Sequence, residues 1–405
     1  MRTLIITIFI VTTAFAFFLK FLTYLRRNDP LPENVRDVFD DETYKKNQAY
    51  TMEGLRFSII TGFVGMAFSL SFLLFNWHHS LFVIISEYTN NIYLTSLFIM
   101  LVPILLGSVI DTLMDIYDTF VIEERYGFNK TTPKTFILDF FKELLIAVVI
   151  IAGLLSLFIF LYSLIGNWVF ISFFAVLLLF QLFVAFISPL LIRVFYKLTP
   201  IEEGELKTRI ESLADETGYK LKGIYMVDAS KRSTKLNAFA SGFGKTKTIG
   251  LFDTLVEKMT VDEVVAVLAH EIGHAKKHHI LKSMPLGLLS VGIVIPAAYF
   301  IVTLPSVSQA FGFADVNIAF GIYMLFILVS PLMVILKIPS NAISRKFEYE
   351  ADAFEKEHSG KEVSISAIKK LYRESYGNLT PHPFVVTMKH SHPTLTQRVS
   401  AFERE

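Results

Sequence analysis

The sequence predicts a mainly α-helical, polytopic membrane protein that carries a small α/β portion outside the bilayer. The 405 residues are 53% hydrophobic and only 19% charged, whereas an average soluble domain has roughly a quarter charged residues. Phenylalanine alone supplies 39 residues. The apolar residues fall in long blocks that polar segments separate, which is typical of a chain that crosses a membrane several times.

Seven apolar blocks are long enough to cross the membrane, because roughly 20 predominantly apolar residues span the hydrocarbon core. The first block is expected to stay in the protein rather than to be cleaved as a signal peptide, since Phe17 and Phe18 continue the apolar run. The blocks predict seven transmembrane helices at about 3–24, 57–76, 93–111, 141–164, 168–194, 284–304 and 317–338.

The distribution of Lys and Arg predicts the orientation of these helices. Connections 77–92, 165–167 and 305–316 contain neither residue type, and the polar segments on the other side contain nearly all of them. The positive-inside rule therefore predicts an N-terminus outside and a C-terminus in the cytoplasm. The lipid bilayer is an expected partner, and both a bacterial inner membrane and the endoplasmic reticulum remain open as its location.

The charge and cysteine content exclude several other classes of protein. Lys and Arg together number 38 and Asp and Glu 37, so no nucleic-acid partner is expected. The absence of cysteine excludes disulfides, thiolate metal ligands and a catalytic thiol. Any metal site has to be built mainly from His, Asp and Glu.

The polar segments after the fifth span predict most of the structure outside the membrane. Hydrophobic periodicity predicts a helix over about 202–216, strands at about 223–228 and 247–251, and helices to about 358 and over about 363–374. The predicted organisation has four parts: spans 1–5 with two cytoplasmic loops in 1–194, an α/β segment in 195–283, spans 6–7 in 284–338, and a C-terminal segment in 339–405.

An H-E-x-x-H motif occupies residues 270–274 of the α/β segment. Upstream, Thr260 and Glu263 form the S/T-x-x-E pattern of a capping box, which predicts a helix that begins near Val261. On this helix the two histidines lie one turn apart on the same face.

This spacing predicts a zinc site. Both imidazoles, of His270 and His274, reach one ion, and Glu271 can take a proton from a water that the metal activates. Zn²⁺ accepts two His and one carboxylate and keeps a position for water. His278 and His279 follow the helix and are expected to face solvent or lipid headgroups.

The third zinc ligand has to come from elsewhere in the chain. The acidic stretch around residue 350 offers four candidates, and spacing alone does not choose between Glu348 and Glu350. Glu348 and Asp352 are four residues apart and share one helix face. One carboxylate could bind the ion while another orients a ligand imidazole from behind. The candidates are Glu348, Glu350, Asp352 and Glu355.

The chain resembles the type I CAAX prenyl endopeptidases, a family of integral-membrane zinc proteases in the gluzincin group. The resemblance is not confined to the zinc motif, because matching blocks occur over most of the chain in family order. They are 44–50, 120–129, 230–233, 237–238, 251–255 and 348–352.

The resemblance implies roles that spacing does not supply. It implies that Glu348 is the third ligand with Asp352 behind it, and that seven helices enclose a large water-filled chamber. Asn237 and Ala238 resemble the substrate-binding edge strand of the family, to which a peptide adds as a further strand. His392 resembles a family histidine that stabilises the oxyanion.

These expectations favour a zinc metalloendopeptidase that binds one Zn²⁺ ion. The resemblance implies removal of the C-terminal tripeptide from a prenylated CAAX protein, so the expected partner is a peptide or prenylated protein substrate. One alternative is a general quality-control protease for membrane proteins. A second is a transporter or scaffold that keeps zinc only for structure, and Glu271 argues against it because a structural zinc site needs no such carboxylate.

Overall fold

The computed structural model describes residues 1–241 and 247–404, and within these ranges the chain is mainly helical. The α-helices are α1 Arg2–Leu25, α2 Asp41–Leu74, α3 Trp77–Ser86, α4 Ile92–Tyr117, α5 Pro133–Ile165, α6 Val169–Phe195, α7 Glu205–Glu216, α8 Asp253–Lys258, α9 Val261–Lys276, α10 His279–Thr303, α11 Pro305–Gln309, α12 Ile318–Ser359, α13 Lys361–Glu374, α14 Pro383–Lys389 and α15 Leu395–Glu403. A π-helical turn, Asp118–Glu123, extends α4.

Six helical stretches in the described part of the chain are long and apolar enough to cross a membrane. One of them, Pro133–Val184, includes both α5 and the first part of α6, which a short turn at Gly166–Trp168 separates. The prediction of a multi-span membrane protein is therefore confirmed. The exact count of seven spans stays a prediction.

Several helices continue well beyond the predicted spans. The largest difference is α12, in which the predicted span 317–338 and the acidic stretch around residue 350 form one 42-residue helix. At 1.5 Å per residue this helix is about 63 Å long. The last apolar span and the candidate ligands thus belong to a single continuous helix.

A four-stranded sheet forms the core of the α/β portion, in the order β1–β2–β4–β3. Its central strands β2 and β4 are parallel, and both outer pairings are antiparallel. The two longest strands agree with the predicted ones, whereas β1 and β3 have only three and four residues and are too short for periodicity to reveal. The strands are β1 Leu198–Pro200, β2 Gly223–Val227, β3 Ala238–Ser241 and β4 Thr248–Phe252.

The sheet and α9 share one hydrophobic core. Ile249 and Leu251 of β4 are fully buried, as are Leu268 and Ile272 of α9. Burying one such side chain stabilises the fold by about 1.5–3 kcal/mol. The polar face of α9, which carries the motif, consequently points away from the sheet.

The predicted capping box fixes the beginning of α9. The Thr260 side chain accepts a hydrogen bond from the Glu263 backbone N–H, and the Glu263 carboxylate accepts one from the Thr260 N–H. Burial opposes ionisation of Glu263, but hydrogen bonds from Ser366, Thr260 and Lys370 outweigh this effect and lower its pKa. The box therefore also ties α9 to α13.

A charged cluster connects the membrane helices to the α/β portion. Lys235 Nζ lies 2.8 Å from Glu123 Oε2 at the end of α4 and 3.0 Å from Tyr50 Oη in α2. Burial favours the neutral amine, but these two hydrogen bonds outweigh it and raise the pKa of Lys235. Because Lys235 lies three residues before β3, the cluster anchors the loop that leads into this strand.

We predict that Gly250→Ala destabilises the sheet and that Phe239→Ala relieves the effect. Phe239 pairs with Gly250 across β3 and β4, and a Cβ on Gly250 would lie 2.5 Å from Phe239 Cε1. Such overpacking costs about 1–3 kcal/mol. The thermal denaturation midpoint in detergent is expected to fall for Gly250→Ala and to recover partly in the double variant. A Gly250→Ala protein as stable as the wild type would contradict this account of the pair.

Candidate metal centre

The site begins where α9 crosses α12, with Gly273 at the point of closest approach. A Cβ added to Gly273 would lie 3.1 Å from Phe354 Cβ and 3.3 Å from Ala351 Cα. These atoms belong to or adjoin the α12 backbone, so a side chain at this position would push the two helices apart by a few tenths of an ångström. The crossing brings the motif histidines of α9 opposite the acidic stretch of α12.

Three potential ligands converge at this crossing. His270 Nε2 lies 3.1 Å from His274 Nε2 and 3.5 Å from Glu348 Oε2, and His274 Nε2 lies 3.4 Å from Glu348 Oε1. A tetrahedral zinc ion with bonds of about 2.0–2.2 Å separates its ligand atoms by about 3.3–3.5 Å. The three side chains therefore fit a zinc ion in both chemistry and spacing.

The orientation of α12 separates two carboxylates that the sequence analysis left as alternatives. Glu348 is 5% exposed, and its buried Oε2 has no hydrogen-bond partner among the described residues. A buried carboxylate oxygen without a partner is costly unless a cation or a donor meets it. Glu350 points elsewhere and contacts His279.

Asp352 lies behind His270, on the side away from the other potential ligands. Its Oδ1 is 3.0 Å from His270 Nδ1, so the imidazole can donate there while its Nε2 keeps a lone pair for a metal.

Arg398 of α15 completes this buried group. It forms two hydrogen bonds with the Asp352 carboxylate, one of them 2.9 Å from Nε to Oδ2. Glu355 Oε2 also lies 3.5 Å from His270 Nδ1, so His270, Asp352 and Glu355 form a second cluster with metal-ligand chemistry. Because the Arg398 guanidinium already supplies the positive charge there, this cluster is not a second metal site.

His279 differs from the expectation that it faces solvent or lipid headgroups. It is only 4% exposed, and its Nδ1 lies 2.9 Å from His274 Nδ1. His278 is exposed and adopts a left-handed backbone conformation, with φ at 55°. That turn directs the next side chain back towards α9, which explains why the expectation fails for His279.

Glu271 and His392 are the two remaining candidate residues of the site. Glu271 follows His270 directly in α9 and is half-buried. His392 Nε2 lies 3.3 Å from Glu348 Oε1, and 63% of its side chain is exposed. Its Nδ1 is 2.9 Å from Ser391 Oγ, which orients the ring. The structure thus places His392 beside Glu348, on the open side of the site, and Glu271 next to His270 along α9.

Asn237 and Ala238 lie at the free edge of the sheet. Ala238 begins β3, the outermost strand, which pairs with β4 on one side only and contacts α9. Asn237 is exposed, and its carbonyl accepts a hydrogen bond from the Phe252 N–H. The free edge of β3 is therefore available for pairing with another extended chain.

Fold and site together define the class of protein: a metalloendopeptidase embedded in the membrane by several helices. An H-E-x-x-H helix that faces a carboxylate on a second helix is the arrangement of zinc-dependent peptidases. Here that second helix continues directly from an apolar span.

Comparisons with known proteins identify the family. Residues 4–197 match the model of the CAAX prenyl protease N-terminal domain, described by five membrane helices, and residues 200–405 match peptidase family M48. The chain is 31% identical to CAAX prenyl protease 1 of Saccharomyces cerevisiae over 96% of its length and 92% of that protein. It is 30% identical to an Arabidopsis thaliana homologue over 93% and 91% of the two chains.

A solved structure agrees with this result. The crystal structure of S. mikatae Ste24p superposes with a TM-score of 0.94 at 29% identity, and the match covers 100% of this chain and 99% of that one. The chain belongs to peptidase family M48 and carries the N-terminal domain of the CAAX prenyl proteases. It is a metalloprotease of the membrane.

The site includes residues to which sequence reasoning assigned no role. Arg398 is 46 residues from Asp352, and no local pattern connects the two. His279 stands five residues after His274, which is a spacing that an unbroken helix would not place in contact. In the sequence, the only indication of a role for His279 is that it lies close to the H-E-x-x-H motif.

We predict that Gly273→Ala weakens metal binding, because the added Cβ forces α9 and α12 apart and separates Glu348 from the two histidines. Displaced supporting groups typically cost 10–100-fold in metal affinity, so we expect a loss of about tenfold or more. Competition with a chromophoric chelator measures it.

Gly292→Ala in α10 is the matched control for this substitution. Nothing lies within 4 Å of a Cβ added there, so the generic effect of alanine in a helix is present without the clash. Equal zinc affinity of the Gly273→Ala and Gly292→Ala proteins would show that the close crossing does not set the ligand spacing.

Proposed function

We propose that this protein is a zinc-dependent endopeptidase that removes the C-terminal tripeptide from prenylated CAAX proteins. The observation that carries the proposal is the convergence of His270, His274 and Glu348. Glu271 follows His270 directly in α9. The similarity to CAAX prenyl proteases over nearly the whole chain supports the substrate class.

His270 and His274 would hold the zinc ion through their imidazoles, and Glu348 would hold it through its carboxylate. When bound, zinc supplies a Lewis acid that lowers the pKa of water and polarises the scissile carbonyl. Asp352 keeps His270 in the tautomer that binds metal. The lack of cysteine in the sequence agrees with a ligand set of this kind.

Glu271 acts as the general base and then as the general acid. Its carboxylate accepts a proton from the attacking water, whose oxygen forms the bond to the carbonyl carbon. The proton passes to the amine nitrogen as the carbon–nitrogen bond breaks. His392, on the open side of the site, donates a hydrogen bond to the oxygen on which negative charge develops.

The substrate peptide binds along β3 as a fifth strand. The side of β3 that faces away from β4 is the free edge of the sheet, and main-chain hydrogen bonds to a strand edge hold peptides without regard to most side chains. The contact between β3 and α9 supports a path from this edge to Glu271.

The lipid group of the substrate enters a chamber between the membrane helices. Only 6% of the most apolar window of α10 is buried within the protein, and 11% of those of α1 and α2. These helices therefore leave apolar surface exposed that a prenyl chain can contact. The distribution of Lys and Arg supports an N-terminus outside and a C-terminus in the cytoplasm, in a bacterial inner membrane or in the endoplasmic reticulum.

We predict that the purified protein removes the last three residues from a farnesylated CAAX peptide and not from the matched unmodified peptide. Glu271→Ala is expected to reduce the rate by about 10²–10⁴, the usual contribution of general acid–base catalysis, and to retain zinc. Mass spectrometry of the products gives both results.

Glu257→Ala is the matched control, since Glu257 is an exposed glutamate of α8. Equal cleavage of both peptides by the wild type would favour a quality-control protease. Full activity of the Glu271→Ala protein would contradict the proposed role of Glu271 as general base and general acid.

We predict that N-methylation of a backbone amide of the peptide abolishes cleavage when that amide pairs with β3. Moving the methyl group to the next amide along the peptide is expected to leave cleavage intact. Successive residues of a strand direct their hydrogen-bonding groups to opposite sides, so only every second amide pairs with β3. The ratio of the cleavage rates of the two N-methylated peptides is the measurement. Equal loss or equal retention at both registers would exclude strand addition.

A further inference from the structure

His279 occupies a buried position immediately behind the candidate ligand His274. Its ring stacks on Phe347 of α12, with centroids 4.3 Å apart and planes inclined by 7°. The left-handed turn at His278 folds it back against α9. Stacking and backbone together hold the imidazole in one plane.

Both ring nitrogens of His279 have a partner. Nδ1 lies 2.9 Å from His274 Nδ1, and Nε2 lies 3.1 Å from Glu350 Oε2. Lys282 Nζ is 3.4 Å from the same carboxylate oxygen. The contacts form a continuous chain from Glu350 through His279 to His274.

The chemistry of these groups determines which atom carries each proton. An ionised carboxylate only accepts, so His279 Nε2 donates to Glu350. A neutral imidazole has one donor and one acceptor, so His279 Nδ1 accepts. His274 Nδ1 must then be the donor, and His274 Nε2 keeps its lone pair on the side of His270 and Glu348.

We propose that His279 and Glu350 are positioning residues that hold His274 in the tautomer and ring orientation needed to bind the metal. The inference rests on the proposed function, in which His274 is a zinc ligand. A carboxylate behind a ligand imidazole raises its basicity and fixes its orientation. Here a second histidine transmits that effect.

The arrangement gives a separate task to each acidic residue of the stretch 348–352. Glu348 faces the two histidines, and Asp352, one turn further along the same face, supports His270 directly. Glu350 lies about 200° around the helix from Glu348, where it contacts His279 and Lys282 of α10. His279, the first residue of α10, therefore links Glu350 to the second ligand.

The test compares three variants of the full-length protein in detergent. His279→Phe keeps the ring and its stacking on Phe347 but cannot accept a hydrogen bond. His279→Gln can accept from His274 and donate to Glu350, so it is the conservative rescue. His278→Asn changes the exposed neighbour and tolerates the left-handed conformation, so it is the matched control.

After removal of bound metal, the affinity for zinc is measured by competition with a chromophoric chelator. His279→Phe is expected to bind zinc 10–100-fold more weakly, with partial recovery in His279→Gln and no change in His278→Asn. The denaturation midpoint of the metal-free protein should not change in His279→Phe. A role in packing alone would lower that midpoint without rescue by Gln, which would overturn the proposal.

Zinc affinity of His279→Phe within twofold of the wild type would also overturn it. If His279→Phe does not fold, Glu350→Leu is the second variant, with an expected loss of about tenfold, and unchanged affinity there would contradict the inference. A wild-type protein that binds no zinc would overturn the proposed function itself, which distinguishes the two failures.

Discussion

The close crossing of α9 and α12 at Gly273 is the constraint on which the rest of the site depends. The α9 helix contributes two imidazoles but no third donor on the same face. Only α12 supplies the carboxylate, and it reaches the imidazoles because no side chain separates the helices at Gly273. The hydrophobic core beneath α9 and the capping box before it serve to hold α9 at that crossing.

The crossing also buries an unusual amount of charge. His270, Glu348, Asp352 and Arg398 are each less than a tenth exposed. Removing one member of such a group leaves an uncompensated buried charge, which typically costs about 3–5 kcal/mol. Arg398 lies in α15, more than a hundred residues after the H-E-x-x-H motif. Through its hydrogen bonds to Asp352, α15 nevertheless takes part in the site.

The parts of this site that the sequence could predict are those set by local rules. The spacing of His270 and His274 and the capping box at Thr260 depend only on helix geometry, and both are found as predicted. The choice of Glu348 over Glu350 depends on which side of α12 meets α9, a long-range property that four-residue spacing cannot reveal. The expectation that His279 faces solvent or headgroups fails because the left-handed backbone of His278 directs the His279 side chain back towards α9. Strand β3 was too short for periodicity, and the family resemblance alone indicated it.

The continuity of α12 connects the peptidase chemistry with the membrane. Ten residues separate Glu348 from the end of the predicted span at Ile338, which corresponds to about 15 Å along the helix. In the proposed reaction the lipid is attached next to the scissile bond, so the lipid has to come as close to the site as the peptide does. In the proposed reaction the lipid and the bond therefore enter together, through the proposed chamber between the membrane helices. A site built on the extension of an apolar span, with its polar groups turned inward to each other, meets that requirement and leaves few unpaired charges for the bilayer.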